Sequence, residues 1–73
     1  MTLREFMDQQ GASLADVSRF TGIQVPTLSR IASGDVVEPR IRTALRIQRW
    51  ADEEARVYGL AGWQRFTWDY LLD

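Results

Sequence analysis

Residues 14–34 read LADVSRFTGIQVPTLSRIASG, and they decide the fold because they combine two short amphipathic segments with a glycine between them. In the first segment, apolar or small side chains recur at the helical spacing i, i+3, i+4 and i+7. They are Leu14, Val17, Ser18 and Thr21. Gly22 stands where the chain leaves this helix, and glycine adopts the left-handed conformation of a helix C-cap without a steric penalty. The pattern predicts a helix over 14–21 that turns sharply into a second helix.

The second segment is predicted to be a helix over 25–33, in which Val25 is a half-helical residue and the regular helix begins at Pro26. Proline fixes φ near its helical value and disfavours the helical region for the preceding residue. Leu28 and Ile31 should point inward, and Ile23 should tuck under the turn. The outward face is predicted to consist of Val25, Pro26, Ser29, Arg30 and Ser33. A tight turn that leads into a helix with an outward arginine is the arrangement that reads a DNA major groove.

The residues VSRFTGIQVPTLSRI resemble the helix-turn-helix of the Cro/CI-type (XRE) repressors of phages and bacteria. They are also similar to the VAxxAGVSxxTVSRV pattern of the LacI family. The resemblance extends over residues 2 to about 51. It implies an all-α, lambda-repressor-like bundle of four to five helices that binds double-stranded DNA.

The same resemblance assigns roles to individual positions of this chain. It implies that the bases are read by Val25, Pro26, Ser29 and Arg30. It implies contacts to the DNA backbone from Gln24, Thr27 and Arg40, and the neighbouring Ser33 and Arg42 are expected to join them. Two positions depart from the family pattern. Ser18 stands where the family usually has alanine, and Leu14 stands where many members place a phosphate-binding glutamine.

The composition excludes several classes of function. The chain has 73 residues and contains neither cysteine nor histidine. Disulfides, the usual zinc ligands, thiol nucleophiles and the commonest general base are therefore missing, and we expect no enzyme, no metal and no cofactor. No apolar run approaches the roughly 20 residues that cross a bilayer, and the first residues lack the apolar core of a signal peptide. The sequence thus predicts a cytoplasmic protein that does not enter membranes.

The formal net charge of −1 does not by itself suggest a DNA-binding protein, but the distribution of the charges along the chain does. All nine basic residues are arginines, and residues 17–51 hold six of them against two acids. That segment is +4, whereas residues 1–16 are −2 and residues 52–73 are −3. Planar guanidinium groups suit bidentate contact to phosphate or guanine. For Arg46 and Arg49 a solvated helix surface explains the charge equally well.

Capping signals place the first two helices. Thr2-Leu3-Arg4-Glu5 has the form of a capping box, and Gly11 can end a helix over about 2–10. Ser13 can cap the helix that starts at Leu14.

Pro39 is predicted to open a fourth helix that runs toward Tyr58 and stops at Gly59. Its inward stripe is predicted to consist of Ile41, Ala44, Leu45, Gln48, Ala51 and Ala55. Arg40 and Arg42 fall in its first turn, where unpaired backbone N–H groups favour a DNA phosphate.

The tail, residues 59–73, holds four of the eight aromatic residues within eight positions. They are Trp63, Phe66, Trp68 and Tyr70. Two periods compete, because three of them share one helical face, whereas the last three alternate with polar residues as in a half-buried strand. The helix is favoured because Leu71 and Leu72 extend its stripe. We predict that the four aromatic residues form a dimer contact, as a helix or as a β-strand arm; the alternative is that they complete this chain's own core.

The sequence therefore predicts a DNA-binding domain over residues 1–58 and a tail over 59–73 that serves dimerisation or completes the core. The leading hypothesis is a phage-type or mobile-element repressor that binds an inverted-repeat operator as a homodimer. The alternative is a helix-turn-helix fold kept for binding a protein partner, as in an antitoxin or a phage inhibitor of a host protein. The acidic, aromatic tail motivates this alternative.

Overall fold

The computed structural model describes residues 1–36 and 38–68 of the chain. Within them, four α-helices follow one another and precede a single 3-10 turn at Gly62–Gln64. The helices are α1 (Leu3–Gln10), α2 (Leu14–Thr21), α3 (Val25–Ser33) and α4 (Ile41–Tyr58). No strand occurs in the described ranges, which confirms the all-α prediction. None of the helices described here is both long and apolar enough to span a bilayer.

Side-chain caps start the first two helices where the sequence predicts them. The Oγ1 atom of Thr2 accepts a hydrogen bond from the backbone N–H of Glu5 at 3.1 Å. The Ser13 hydroxyl accepts from the N–H of Asp16, and the Asp16 carboxylate accepts from the N–H of Ser13, both at 3.1 Å. This reciprocal capping box fixes the start of α2, whose predicted bounds of 14–21 are confirmed.

The turn between α2 and α3 is fixed by hydroxyl groups as well as by glycine. Gly22 has a φ of +76°, and its N–H donates to the Ser18 carbonyl at 2.8 Å. The Ser18 hydroxyl in turn donates to the Ile23 carbonyl at 2.6 Å. The buried Thr21 hydroxyl donates to the Val17 carbonyl and accepts from the N–H of Ile23. Ser18 therefore stabilises the turn through its hydroxyl, which an alanine at this position would lack.

Two helix starts differ from the prediction. α3 begins at Val25, one residue before Pro26, with Gln24 as its N-cap. The first turn tolerates a proline at its second position because that N–H would have no partner inside the helix. α4 begins at Ile41 with Arg40 as its N-cap, so Pro39 precedes the helix and does not open it. Arg40 has a ψ of 147°, which is extended, and this keeps the helix from starting earlier.

The core lies where α1, α2, α3 and α4 meet. Its fully buried side chains are Phe6, Met7, Val17, Leu28 and Ile47. Phe6 packs edge-on against Trp50 of α4, with ring centroids 5.5 Å apart. Ile31 of α3 and Ile23 below the turn are also buried, as predicted.

The predicted inward stripe of α4 is partly wrong. Ala44, Ala51 and Ala55 are buried as expected, but Ile41 and Leu45 are 58% and 50% exposed. Ile47 and Trp50 face the core in their place. Ala44, Ala51 and Ala55 fit either of two apolar faces of α4. The spacing alone therefore could not decide whether Ile41 and Leu45 or Ile47 and Trp50 face the core. Burial of the large Trp50 ring decides the rotation of the helix about its axis.

The tail packs back along α4 after Gly59 ends that helix in the left-handed conformation. Of the predicted tail helix, the described residues form only the single 3-10 turn, and residues 65–68 continue without regular secondary structure; Leu71 and Leu72 lie outside the described residues. Phe66 is 3% exposed and contacts Phe6, with ring centroids 5.9 Å apart. The Gln48 side chain donates to the Phe66 carbonyl at 2.7 Å, and the Trp68 indole donates to the Ala44 carbonyl at 3.0 Å. Phe66 thus belongs to this chain's own core, with Trp68 packed against it.

Candidate nucleic-acid interface

α3 separates a buried face from an exposed one. Leu28, Ile31 and Ala32 anchor it in the core. The predicted base-reading residues Val25, Pro26 and Arg30 are exposed, and Ser29 is half-buried. The predicted backbone-contacting residues of this helix are exposed as well: Gln24, Thr27 and Ser33. Six of these seven residues therefore lie in α3 and Gln24 is its N-cap, while the buried residues of the opposite face anchor the helix in the core.

Arg30 lies in the last turns of α3 with its guanidinium group unengaged. It forms no ion pair or side-chain hydrogen bond with residues 1–36 and 38–68. The Ser33 hydroxyl donates to the Arg30 carbonyl at 3.1 Å, so Ser33 already has one hydrogen bond within the helix. An exposed arginine on a rigid helix can place two parallel donors against a guanine edge.

The starts of α3 and α4 differ from those of α1 and α2. Neither Gln24 nor Arg40 caps its helix with a side chain, and no acidic residue lies in either first turn. By contrast, Thr2 and Ser13 cap their helices, and Glu5 and Asp16 lie in the first turns. Within the described residues, the first N–H groups of α4 thus have no side-chain cap, and the helix dipole there favours an anion.

Three arginines gather at the start of α4. A shallow cleft of about 540 Å³ is lined by Arg40, Ile41, Arg42, Thr43 and Arg46. The structure therefore brings the predicted pair Arg40 and Arg42 together and adds Arg46. Arg46 follows Arg42 at i+4, and this spacing is the signal by which sequence reasoning could have grouped them.

The arginines divide into paired and unpaired groups. Arg19 pairs with Asp16 at 2.5 Å, Arg65 with Asp52 at 3.4 Å, and Arg56 with Glu53. Hydrogen bonds to the Ser13 backbone and hydroxyl and to Arg19 lower the pKa of Asp16, and a hydrogen bond from Arg56 lowers that of Glu53. In the described part of the chain, no ion pair neutralises Arg30, Arg40, Arg42, Arg46 or Arg49. Arg4 of α1 is unpaired as well, so four of the six arginines without an ion pair in the described residues lie in α3 or around the start of α4, where positive charge suits DNA phosphates.

Comparison with protein families gives this surface its context. Residues 2–49 match the model of the Cro/C1-type HTH DNA-binding domain. The chain belongs to this family. The match covers α1 to α3 and the first half of α4, and it ends before the tail. Neither the comparison with curated proteins nor the one with solved structures gave a significant match.

Within this Cro/C1-type chain, the predicted dimer residues are dispersed. Phe66 and Trp68 pack against each other, with ring centroids 5.0 Å apart. Trp63 is 81% exposed and lines a different cleft, together with Tyr58. Tyr70 lies outside the described residues.

Proposed function

We propose that this Cro/C1-type chain is a sequence-specific transcriptional regulator that represses a promoter by binding an inverted-repeat operator as a homodimer. One observation carries the proposal: α3 presents an unpaired Arg30 and a row of small exposed side chains on a face opposite its buried anchors. A helix mounted in this way fits the major groove, which is wide enough to admit it. Small repressors of this kind are typical of phages and mobile elements, and we extend the proposal to such an origin.

We assign base reading to four residues that extend from the first turn of α3 to its last turn: Val25, Pro26, Ser29 and Arg30. Arg30 would donate two hydrogen bonds to a guanine, and Ser29 would contact either a base or a phosphate. Val25 and Pro26 offer apolar contacts that suit the methyl group of thymine.

We assign backbone contacts to the residues that flank this row. Gln24 and Thr27 lie exposed at the start of α3, and Ser33 lies at its end. Arg40 and Arg42 stand beside the uncapped start of α4, where guanidinium groups and backbone N–H groups can hold one phosphate together. Such contacts fix the register of the protein on the duplex without reading sequence.

Two copies would place their α3 helices in successive major grooves. Half-site centres are then about 34 Å apart, one turn of DNA, and the two-fold symmetry of the protein demands an inverted repeat. A dimer bound across a promoter would exclude RNA polymerase sterically.

Selection from a random duplex pool at near-physiological salt tests the proposal. We expect enrichment of an inverted repeat with about one-turn spacing. Arg30→Ala is the matched variant, because it should relax the preference at one base pair of each half-site and leave the spacing unchanged. Retention of random duplexes without an enriched motif would contradict sequence-specific recognition. No retention of DNA would favour a protein partner, as an antitoxin or a phage inhibitor has.

A further inference from the structure

Trp63 has the most exposed large apolar side chain of the described residues, and the cleft that it lines has no charged residue in its lining. This shallow cleft has a volume of about 480 Å³, and we call its lining the neutral patch. It consists of Gln9, Gln10, Tyr58, Leu60, Trp63 and Gln64. Trp63 is 81% exposed and Tyr58 is 65% exposed. Two exposed aromatic rings surrounded by amides are typical of the core of a protein interface.

The chain holds Trp63 outward on a fixed turn. The Gln64 side chain accepts a hydrogen bond from the N–H of Ala61 at 2.9 Å, and the N–H of Gln64 donates to the Ala61 carbonyl at 2.9 Å. Just beyond, the Phe66 ring and its carbonyl are anchored against α1 and α4. The indole therefore projects from a hydrogen-bonded turn, so burying it requires little further ordering of the backbone.

The neutral patch lies far from the arginines at the start of α4. Helix α4 has 18 residues and is about 27 Å long, with Arg40 before its first residue and Tyr58 at its last. A protein bound at the neutral patch thus leaves the start of α4 uncovered.

We propose that the neutral patch is the contact through which two copies of this chain associate. The inference rests on the proposed operator binding, for which it supplies the dimer contact. Two identical surfaces repel each other when they are charged, but the neutral patch can face itself without opposing like charges. The cleft beside Tyr58 offers each copy a place for the second copy's Trp63, so the contact is reciprocal.

The size of the neutral patch predicts a weak dimer. Trp63 and Tyr58 together offer roughly 200–400 Å² per copy, which is less than the ~800 Å² per partner that a stable interface buries. The free chain is therefore mainly monomeric, and two copies associate when adjacent half-sites hold them together. Binding to the full operator is then cooperative.

Binding of wild type and Trp63→Ala to two duplexes tests the inference. One duplex carries the selected inverted repeat and the other carries a single half-site. We expect Trp63→Ala to bind the half-site as the wild type does, but to lose cooperativity and at least about tenfold in affinity for the inverted repeat. Leu45→Ala is the matched control, because Leu45 is also an exposed apolar residue of α4 but lies outside the neutral patch. An equal loss with Leu45→Ala, or no loss with Trp63→Ala, overturns the inference.

A measurement without DNA separates this inference from the proposed function. Sedimentation from micromolar to millimolar concentrations should show wild-type self-association that Trp63→Ala abolishes and Leu45→Ala keeps. Acrylamide quenching of tryptophan fluorescence should fall over the same concentration range. Self-association would bury Trp63, which is far more exposed in the single chain than the buried Trp50. A wild type that stays monomeric at millimolar concentration overturns the dimer contact even if half-site binding is sequence-specific. If the wild type self-associates but binds no DNA, the dimer contact is upheld and the proposed operator binding is contradicted.

Discussion

Thr21 is a buried polar residue at the hinge of the helix-turn-helix, and its hydroxyl serves as both donor and acceptor. It donates to the Val17 carbonyl at 2.7 Å and accepts from the N–H of Ile23 at 3.2 Å. Ile23 must enter the core while its backbone leaves the helical path, so its N–H needs a partner other than a helix carbonyl. Thr21 supplies that partner within the same turn.

Thr21→Val should destabilise the fold by about 1–3 kcal/mol, because it keeps the shape but leaves the buried N–H of Ile23 without a partner. Urea denaturation measures the change. Thr67→Val is the matched control, since Thr67 is exposed and its hydroxyl forms no hydrogen bond within the described residues. It should change stability by less than about 0.5 kcal/mol. Equal effects of the two variants would contradict the role given to Thr21.

At the same scale, Arg30 and Arg40 should contribute to DNA binding in different ways. Arg30→Ala should cost about 1–3 kcal/mol on the selected operator and relax the preference at one base pair. Arg40→Ala should weaken all duplexes alike and lower the salt slope of log K by about one unit. Binding titrations over a range of salt, with operator and random duplexes, measure both. An equal loss on both duplexes for Arg30→Ala would contradict its assignment to base reading.

Among the helices, α2 has the most completely capped N-terminus. Its capping box joins Ser13 and Asp16, and Arg19 adds an ion pair to the same carboxylate. The hydrogen bonds to Ser13, and then that to Arg19, hold the pKa of Asp16 below its ordinary value of 3.8. A carboxylate whose pKa is lower in the folded state stabilises the fold above its unfolded pKa, and this contribution is lost as the pH falls through the lowered value.

Asp16→Asn should therefore lower Tm at neutral pH, and its difference from the wild type should shrink once the pH falls below about 4. Thermal unfolding followed by circular dichroism between neutral and strongly acidic pH measures this. Asp8→Asn in α1 serves as the control, because the Asp8 carboxylate has no hydrogen bond or ion pair with the described residues. A difference from the wild type that stays constant over the whole pH range would contradict the capping role.

On the scale of the whole molecule, the tail is divided between the interior and the surface. Phe66 fills a place in the core beside Phe6, whereas Trp63, three residues earlier, is almost fully exposed. A domain of this size is stable by only about 4–11 kcal/mol, so one large core ring is a considerable fraction of the total.

Phe66→Ala should cost about 3–5 kcal/mol through the lost ring and the cavity left behind. Trp63→Ala is its counterpart in the same tail and should change monomer stability by less than about 0.5 kcal/mol. Chemical denaturation of both variants at low protein concentration measures the difference. Comparable losses for the two would mean that Trp63 is part of the core.

Local sequence patterns were sufficient to predict α2 and the outward face of α3. The i, i+3, i+4 spacing from Leu14 to Thr21, the glycine at 22 and the cap at Ser13 all act within a few residues of each other. The rotation of α4 was not predictable in the same way, because Ile41 with Leu45 and Ile47 with Trp50 offer equally plausible apolar faces. The choice depends on Phe6, which is distant in sequence and packs on Trp50.

The sequence by itself determined the four helices, the sharp turn at Gly22 and membership of a DNA-binding family, because caps, glycines and helical spacing are local signals. Only the tertiary structure decided how the tail packs: which of its aromatic residues are buried, and that Arg65 pairs with Asp52. Both outcomes depend on contacts between residues far apart in the chain, such as Gln48 with Phe66 and Arg65 with Asp52. Their geometry is set by how the helices pack, which local spacing does not encode.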